Sequence, residues 1–325
     1  MSSKQNTAAR SGGGFRNFAK NNGNLLIFLF IWVFASLLIK NFASISNYVN
    51  IVSQSAVAIV ACLGMTFVLM TGGIDLSLGY TLGFCSYIYG LFAVQLGLPV
   101  IVALIASIIV GGICGLINGI LVQIAKIPAF IVTLGTGYII YGVAQIASNG
   151  AAITNLEASV LAIGRTKILG FASIVWIALI VVVISFFILH KSTYGRSLSA
   201  VGMNPEASRL SGIKTKFTVI MAYVFCGLCT GLAAVLMATR VNNCVSTLGG
   251  TEFTFRAITA AILGGASLFG GIGTAWGSVL GVLTIYGIEN CLGLLGVNSY
   301  MYTATLSIII LIAIIFENVK NRILQ

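Results

Sequence analysis

Apolar residues run along this chain in long blocks, and short polar or glycine-rich stretches separate them. Blocks of about 17–25 residues match the length of an α-helix that crosses a hydrocarbon core. They fall near 24–40, 48–70, 75–95, 99–123, 128–147, 171–190, 217–238, 254–270, 274–294 and 299–318, which predicts about ten transmembrane helices. Barrel strands alternate apolar and polar positions over about ten residues, and no stretch here does so. The predicted fold is therefore an all-α polytopic membrane protein with one transmembrane domain over 24–320. Residues 1–23 are rich in Ser, Gly and Asn and carry Lys4, Arg10, Arg16 and Lys20, so they read as a disordered basic cytoplasmic tail. No A-x-A-like cleavage site follows the first apolar block, which is expected to stay as an anchor.

Composition names the solvent. Of 325 residues, 58% are hydrophobic and 7% charged, and the mean hydropathy is +1.08, whereas soluble domains carry roughly a quarter charged residues. A net charge of +11 would suggest nucleic acid in a soluble chain. Here Lys and Arg flank apolar blocks instead of forming a basic face, so no nucleic-acid partner is expected. With an even span count and a cytoplasmic start, twelve of the 17 basic residues lie inside: four in the tail, Lys126, five in 191–216, Lys320 and Arg322. Lys40, Arg165, Lys167, Arg240 and Arg256 lie outside. This bias predicts that both termini are cytoplasmic.

Cys62, Cys85, Cys114, Cys226, Cys229, Cys244 and Cys291 fall mostly inside apolar blocks, where cysteine packs as a small hydrophobe, and no disulfide framework is inferred. Cys226 and Cys229 form a C-x-x-C with no histidine nearby to complete a metal set. His190 is the only histidine, at the inner mouth of the sixth span, which argues against histidine metal sites and triad chemistry. No catalytic residue, metal site or bound cofactor is expected in this chain.

Two segments do not look like lipid-facing helix, and broken or re-entrant structure is predicted near 71–79 and 264–273. Both fit G-G-x-x-L-x-x-G, with Gly72, Gly73, Leu76 and Gly79 matched by Gly264, Gly265, Leu268 and Gly271. Paired glycine interruptions in corresponding halves mark broken helices and substrate pathways in transporters. Chance among 38 glycines is the other explanation. Gly72, Gly73, Asp75, Ser77, Gly264, Gly265 and Ser267 are thus candidates for a pathway or a helix break. Glycines four apart at 111, 115 and 119, at 227 and 231, and at 273, 277 and 281 are expected to be packing seams.

Asp75 is the sole aspartate, at membrane depth. A carboxylate there costs at least about 2.5–3.5 kcal/mol unless it meets a helix end, a polar partner or a watery cavity. It reads either as a cap on the helix that follows or as a cavity wall. Asn118, Glu289 and Asn290 are the other polar candidates inside the bundle, for substrate contact or for hydrogen bonds between helices.

The inner loop 191–216 contains Gly195, Arg196, Gly202, Asn204, Glu206, Ala207, Arg209 and Gly212. Asn204 can N-cap a short helix with Pro205 at its first position and Glu206 in its first turn, and Gly212 can end it. A capped, charged helix too short to cross suits contact with another protein. No G-x-x-x-x-G-K-[ST] occurs, so the chain cannot cradle nucleotide phosphates in the P-loop manner.

Thr71-Gly-Gly-Ile-Asp-Leu-Ser-Leu-Gly79, Gly115-Leu-Ile-Asn-Gly119, Ile127-Pro-Ala-Phe-Ile-Val-Thr-Leu-Gly135, the 195–213 loop, Leu263-Gly-Gly-Ala-Ser-Leu-Phe-Gly-Gly271 and Leu292-Gly-Leu-Leu-Gly-Val-Asn298 resemble the permeases of ribose-type ABC sugar importers. The resemblance implies a permease in the bacterial inner membrane, paired with a second permease chain, expected to be identical. It implies a cytoplasmic ABC ATPase that holds the ATP and Mg, and an extracytoplasmic sugar-binding protein. It also implies that Asn204 to Gly212 form the coupling helix that docks on the ATPase. Glu206-Ala207 and Gly212 resemble the Glu-Ala-Ala...Gly signature of importer permeases, with Ser208 in place of the second alanine. Where the family often has Glu-Leu-Asp-Ala-Ile, this chain has Thr254-Phe-Arg256-Ala-Ile, so the details of substrate and docking do not carry over. The rival expectation is an ion-gradient-driven secondary transporter or channel acting through Asp75 and Glu289.

Overall fold

The computed structural model describes residues 23–298 together with 301, 302, 304, 305, 307–309, 311 and 312. The tail up to residue 22, most of the predicted 299–318 span, Lys320 and Arg322 lie outside the described residues. The helices are α1 (Gly23–Leu38), α2 (Ile45–Met70), α3 (Leu78–Gly90), α4 (Val100–Gln123), α5 (Ala129–Ser148), α6 (Ala158–Arg165), α7 (Ser173–Lys191), α8 (Thr193–Met203), α9 (Pro205–Leu210), α10 (Thr215–Val241), α11 (Gly250–Leu263) and α12 (Ala275–Leu294). A π-helical turn, Leu91–Gln95, extends α3.

Helix occupies most of each predicted block up to 274–294, in keeping with an all-α polytopic fold, but the expected count of ten is not confirmed. Among the described residues six helices, α2, α4, α5, α7, α10 and α12, are long and apolar enough to cross a membrane. Two of the others are shortened by the glycine breaks, which consume part of the apolar run: α3 starts only at Leu78 and α11 stops at Leu263. Helix α1 has 16 described residues, and most of the 299–318 block lies outside the described residues. The all-α expectation also misses four two-residue strands. Ile153–Thr154 pairs antiparallel with Asn243–Cys244, and Lys167–Ile168 with Phe171–Ala172 across Leu169 and Gly170, both at positive φ. That sign at both loop positions is what a two-residue I′ hairpin requires.

Helix α2 is the axis of the bundle. Ser44 caps it, and every residue from Ser55 to Met70 is buried, because α7, α10, α11 and α12 all pack on it. The glycine ladders are the seams expected of them. On α4 and α10, a Cβ on Gly111 would overlap the carbonyl oxygen of Gly227, and one on Gly115 that of Tyr223. On α11 and α12, Gly277 lies against Gly264 and Gly281 against Ala260 in the same manner. Lipid tails are as apolar as leucine, so close backbone approach replaces the hydrophobic effect as the force that joins helices.

Gly111→Ala is therefore expected to lower thermal stability in detergent by roughly 1–3 kcal/mol, as overpacking does. Gly135→Ala, where a Cβ meets nothing within 4 Å, is the matched control, and equal melting of the two variants would contradict the seam.

Candidate functional site

Both glycine segments break their helices, and they do so by the same device. Helix α2 ends with Thr71 at the C-cap and Gly72 at φ +76. The amide of Gly72 donates to the Leu69 oxygen at 2.8 Å and that of Gly73 to the Val68 oxygen at 3.3 Å. Helix α11 ends with Gly264 at the C-cap and Gly265 at φ +93, and Gly265 and Ala266 donate to Ile262 and Ala261 at 2.8 and 2.9 Å. Each is a Schellman ending, whose left-handed residue favours glycine. The equivalent glycines are Gly72 and Gly265, so the structural correspondence is one residue out of register with the sequence match of Gly72 to Gly264.

The breaks meet each other. The amide of Gly271 donates to the carbonyl oxygen of Met70 at 2.9 Å. Gly202, at the end of α8, sits where a Cβ would overlap both the Met70 oxygen and the Gly271 nitrogen. The loop between α11 and α12 is closed by Ser267, whose Oγ accepts from the Phe269 amide at 3.1 Å. Asn24 in α1 donates from Nδ2 to the Gly264 oxygen at 2.6 Å. Thus the two breaks meet at Gly202, which sits against Met70 and Gly271, while Gly73 packs on Tyr223, Gly264 on Gly277 and Gly265 on Asn24.

Asp75 lies in the first break and is 3% exposed. Its Oδ1 accepts from the Ser77 amide at 2.9 Å, the Ser77 hydroxyl at 2.6 Å and Asn118 Nδ2 at 3.4 Å. Asn118 also donates to Ser77 Oγ at 2.8 Å and accepts from Thr136 Oγ at 2.6 Å. Ser77 itself is the N-cap of α3, with no side-chain capping bond. The neighbouring open amides go elsewhere: Leu76 to Thr133 Oγ at 3.0 Å and Gly79 to Thr254 Oγ at 2.8 Å. One break is thereby tied to α4, α5 and α11. The sequence reading assigned no such contact to Thr133, Thr136 or Thr254, because a threonine in an apolar block carries no signal of which group it will meet.

Glu289 and Asn290 stand apart from this network, near the far end of α12. Glu289 Oε2 accepts from Arg256 at 3.2 Å, and Arg256 also pairs with Glu252 at 2.8 Å. Asn290 pairs with Asn47 of α2.

In the inner loop, Ser192 caps α8 by accepting from the Gly195 amide at 3.1 Å. Gly195, Leu198, Val201 and Gly202 form the buried face of α8, and Arg196 is exposed. Asn204 Oδ1 accepts from the Ala207 amide at 2.9 Å, with Pro205 at the first position of α9. Gly212, at φ +84, lies just past its end. Ala207 is exposed, and Arg209 pairs with Glu206 at 2.6 Å, holding that carboxyl below its ordinary value. Met203 and Leu210 flank the pair, 70% and 76% exposed. A charged tip edged by two apolar side chains, mounted on a buried stem, has the make-up of a protein contact.

Residues 47–315 match the family described as "Branched-chain amino acid transport system / permease component". The ribose import permease protein of Escherichia coli (strain K12) is 34% identical over 304 residues, covering 92% of this chain and 94% of that protein. The corresponding protein of Haemophilus influenzae is 32% identical, covering 87% and 88%. The autoinducer 2 import system permease protein of Salmonella typhimurium is 30% identical, covering 95% and 89%. No solved structure matches the chain.

Asn118→Ala leaves Asp75, Ser77 and Thr136 each one partner short, and a stability loss of about 1–3 kcal/mol is expected. A double-mutant cycle with Thr136→Val should show a coupling of about 0.5–3 kcal/mol. Additive melting shifts would mean that the network does not act as a unit.

Proposed function

The chain belongs to the ribose-type family of ABC importer permeases, and we propose that it serves as the membrane-spanning subunit that passes a small sugar into the cytoplasm. The sugar we propose is a pentose, a hexose or a related furanosyl compound, and the ribose named for two of the relatives supports a pentose first. ATP and Mg are held and turned over by a separate cytoplasmic ATPase, and an extracytoplasmic binding protein delivers the sugar. Two copies of the chain pair in the bacterial inner membrane, with both termini, including the 1–23 tail, on the cytoplasmic side.

One observation carries this reading: the exposed α9 tip continues into α8, whose last turn is wedged at Gly202 between the ends of α2 and the α11–α12 loop. Motion of the tip on a closing ATPase pair is thereby delivered to both helix breaks. Asn204, Glu206, Ala207 and Arg209 are the contact surface; Gly195 and Gly202 allow the stem to approach; Arg196 lies on its outer face. Asp75, Ser77 and Asn118 hold the first break in register, and no chemical step is asked of them.

Reversing both charges, Glu206→Arg with Arg209→Glu, preserves their mutual attraction but inverts what an ATPase groove meets. ATP-driven uptake by the reconstituted importer is expected to fall about tenfold or more, while the melting temperature stays put, since an exposed pair adds little stability. Unchanged uptake would sink the docking role. Uptake driven by an ion gradient, in vesicles holding this chain alone, would instead favour a secondary transporter.

A further inference from the structure

A cleft of about 300 Å³ opens between the first turns of α2 and the last turns of α12, lined by Asn47, Asn50, Gln54, Glu289, Asn290 and Tyr302, with Gly293 and Leu294 at its side. The coupling surface and the glycine breaks make no use of it. It lies at the opposite end of α2 from Gly202, since Asn50 precedes Met70 by about 30 Å of helix.

Its walls are polar on helices that are otherwise apolar. Asn47, Asn50 and Gln54 recur at i, i+3 and i+7, one face of α2, just before the stretch that is buried throughout. Asn47 and Asn290 exchange two hydrogen bonds, each Nδ2 donating to the other's Oδ1, at 2.8 and 2.9 Å. This pair joins α2 to α12 in the wall of the cleft. Gln54 Nε2 donates to Asn50 Oδ1 at 2.9 Å. Beside them, Glu289 gives Oε2 to Arg256, yet its Oε1 is buried with no hydrogen-bond partner among the described residues. A buried acceptor left unpaired is costly, and a donor that fills it removes the cost.

The chemistry that fits is a set of neighbouring hydroxyl groups. Carboxamides present donors and acceptors side by side, the carboxylate oxygen accepts, and Tyr302 adds a flat apolar face. Among the described residues no basic side chain lines the cleft, which disfavours an anion, and Arg256 already balances Glu289 against a cation. The volume is at the lower end of small-molecule sites.

We propose that this cleft is a binding site for a neutral, monosaccharide-sized polyhydroxylated ligand, with Asn50 and Gln54 meeting its hydroxyls and Glu289 in its wall. The proposal rests on the sugar-import reading above and adds to it a selectivity step inside the permease itself. A ligand there bridges α2 and α12, the two helices whose other ends meet the inner loop and the second break.

The test uses the full importer, reconstituted with its ATPase and binding protein, and D-ribose, D-xylose and D-galactose as probes. Asn50→Leu and Gln54→Leu are expected to cut uptake of the accepted sugar about tenfold or more, as lost hydroxyl contacts do, with wild-type melting and ATPase rates. Glu289→Gln, which keeps the shape, is expected to change the ranking of the three sugars. Labelling gives an independent reading without the binding protein: in the Leu294→Cys chain, whose replaced side chain sits at the side of the cleft and contacts no hydroxyl in the proposal, a hydrophilic maleimide should react at least about threefold more slowly when the accepted sugar is present. The wild-type chain, whose cysteines are buried or half-buried, sets the background. If the wild-type importer takes up a sugar, but both leucine variants match it and the sugar leaves labelling unchanged, the site is disproved and the import reading survives. If the wild-type importer takes up none of the three and no other pentose, hexose or furanosyl compound, the substrate reading falls and this site falls with it.

Discussion

Within a bilayer no water is at hand to satisfy a backbone N–H or C=O that leaves its helix, so every interruption must be sealed by the chain itself. This constraint explains the construction around residues 70–79 and 264–274. The carbonyl ends of α2 and α11 are closed by Schellman hydrogen bonds at Gly72 and Gly265. The amide end of α3 is served by Asp75, Thr133 and Thr254, each from a different segment. Asn24 takes up the Gly264 carbonyl and Gly271 the one at Met70. Each seal is a tether, and together the tethers lock the short helices α3 and α11 to the long ones.

Close backbone approach is the second requirement, and glycine meets it. Where Gly111 faces Gly227, and Gly264 faces Gly277, there is no room for a methyl group. Tight contact of this kind makes the helices slide or separate as rigid bodies, because a packed interface has few intermediate arrangements. Gly202 brings the inner loop under the same rule. Its helix seats directly on the end of α2, so a force on the exposed α9 reaches the bundle without a flexible linker.

Helices α2 and α12 connect this inner junction to the polar cleft around Asn47 and Asn290. The paired glycine pattern and the capping residues drew attention to the glycine segments and the loop. The carboxamide face of α2 drew none, because Asn47, Asn50 and Gln54 acquire meaning only when α12 brings Glu289 and Asn290 beside them. Likewise Arg256 looked like a departure from a family pattern, and in space it is the ion-pair partner of Glu252 and Glu289.

What depends on local chemistry was legible from the sequence alone. Apolar block lengths located the helices, because the solvent is the same for every block. Asn204, Pro205 and Gly212 delimited α9, because capping is settled within one turn. Glycine spacing announced the packing seams, although not which helix would meet which. Tertiary structure alone decided the rest. Two breaks some 190 residues apart close on one another through Met70 and Gly271, and the open amides at Leu76 and Gly79 find Thr133 and Thr254. A hydrogen bond between distant segments is chosen by the global packing of rigid helices, and no window of residues, however long, contains that information before the helices are assembled.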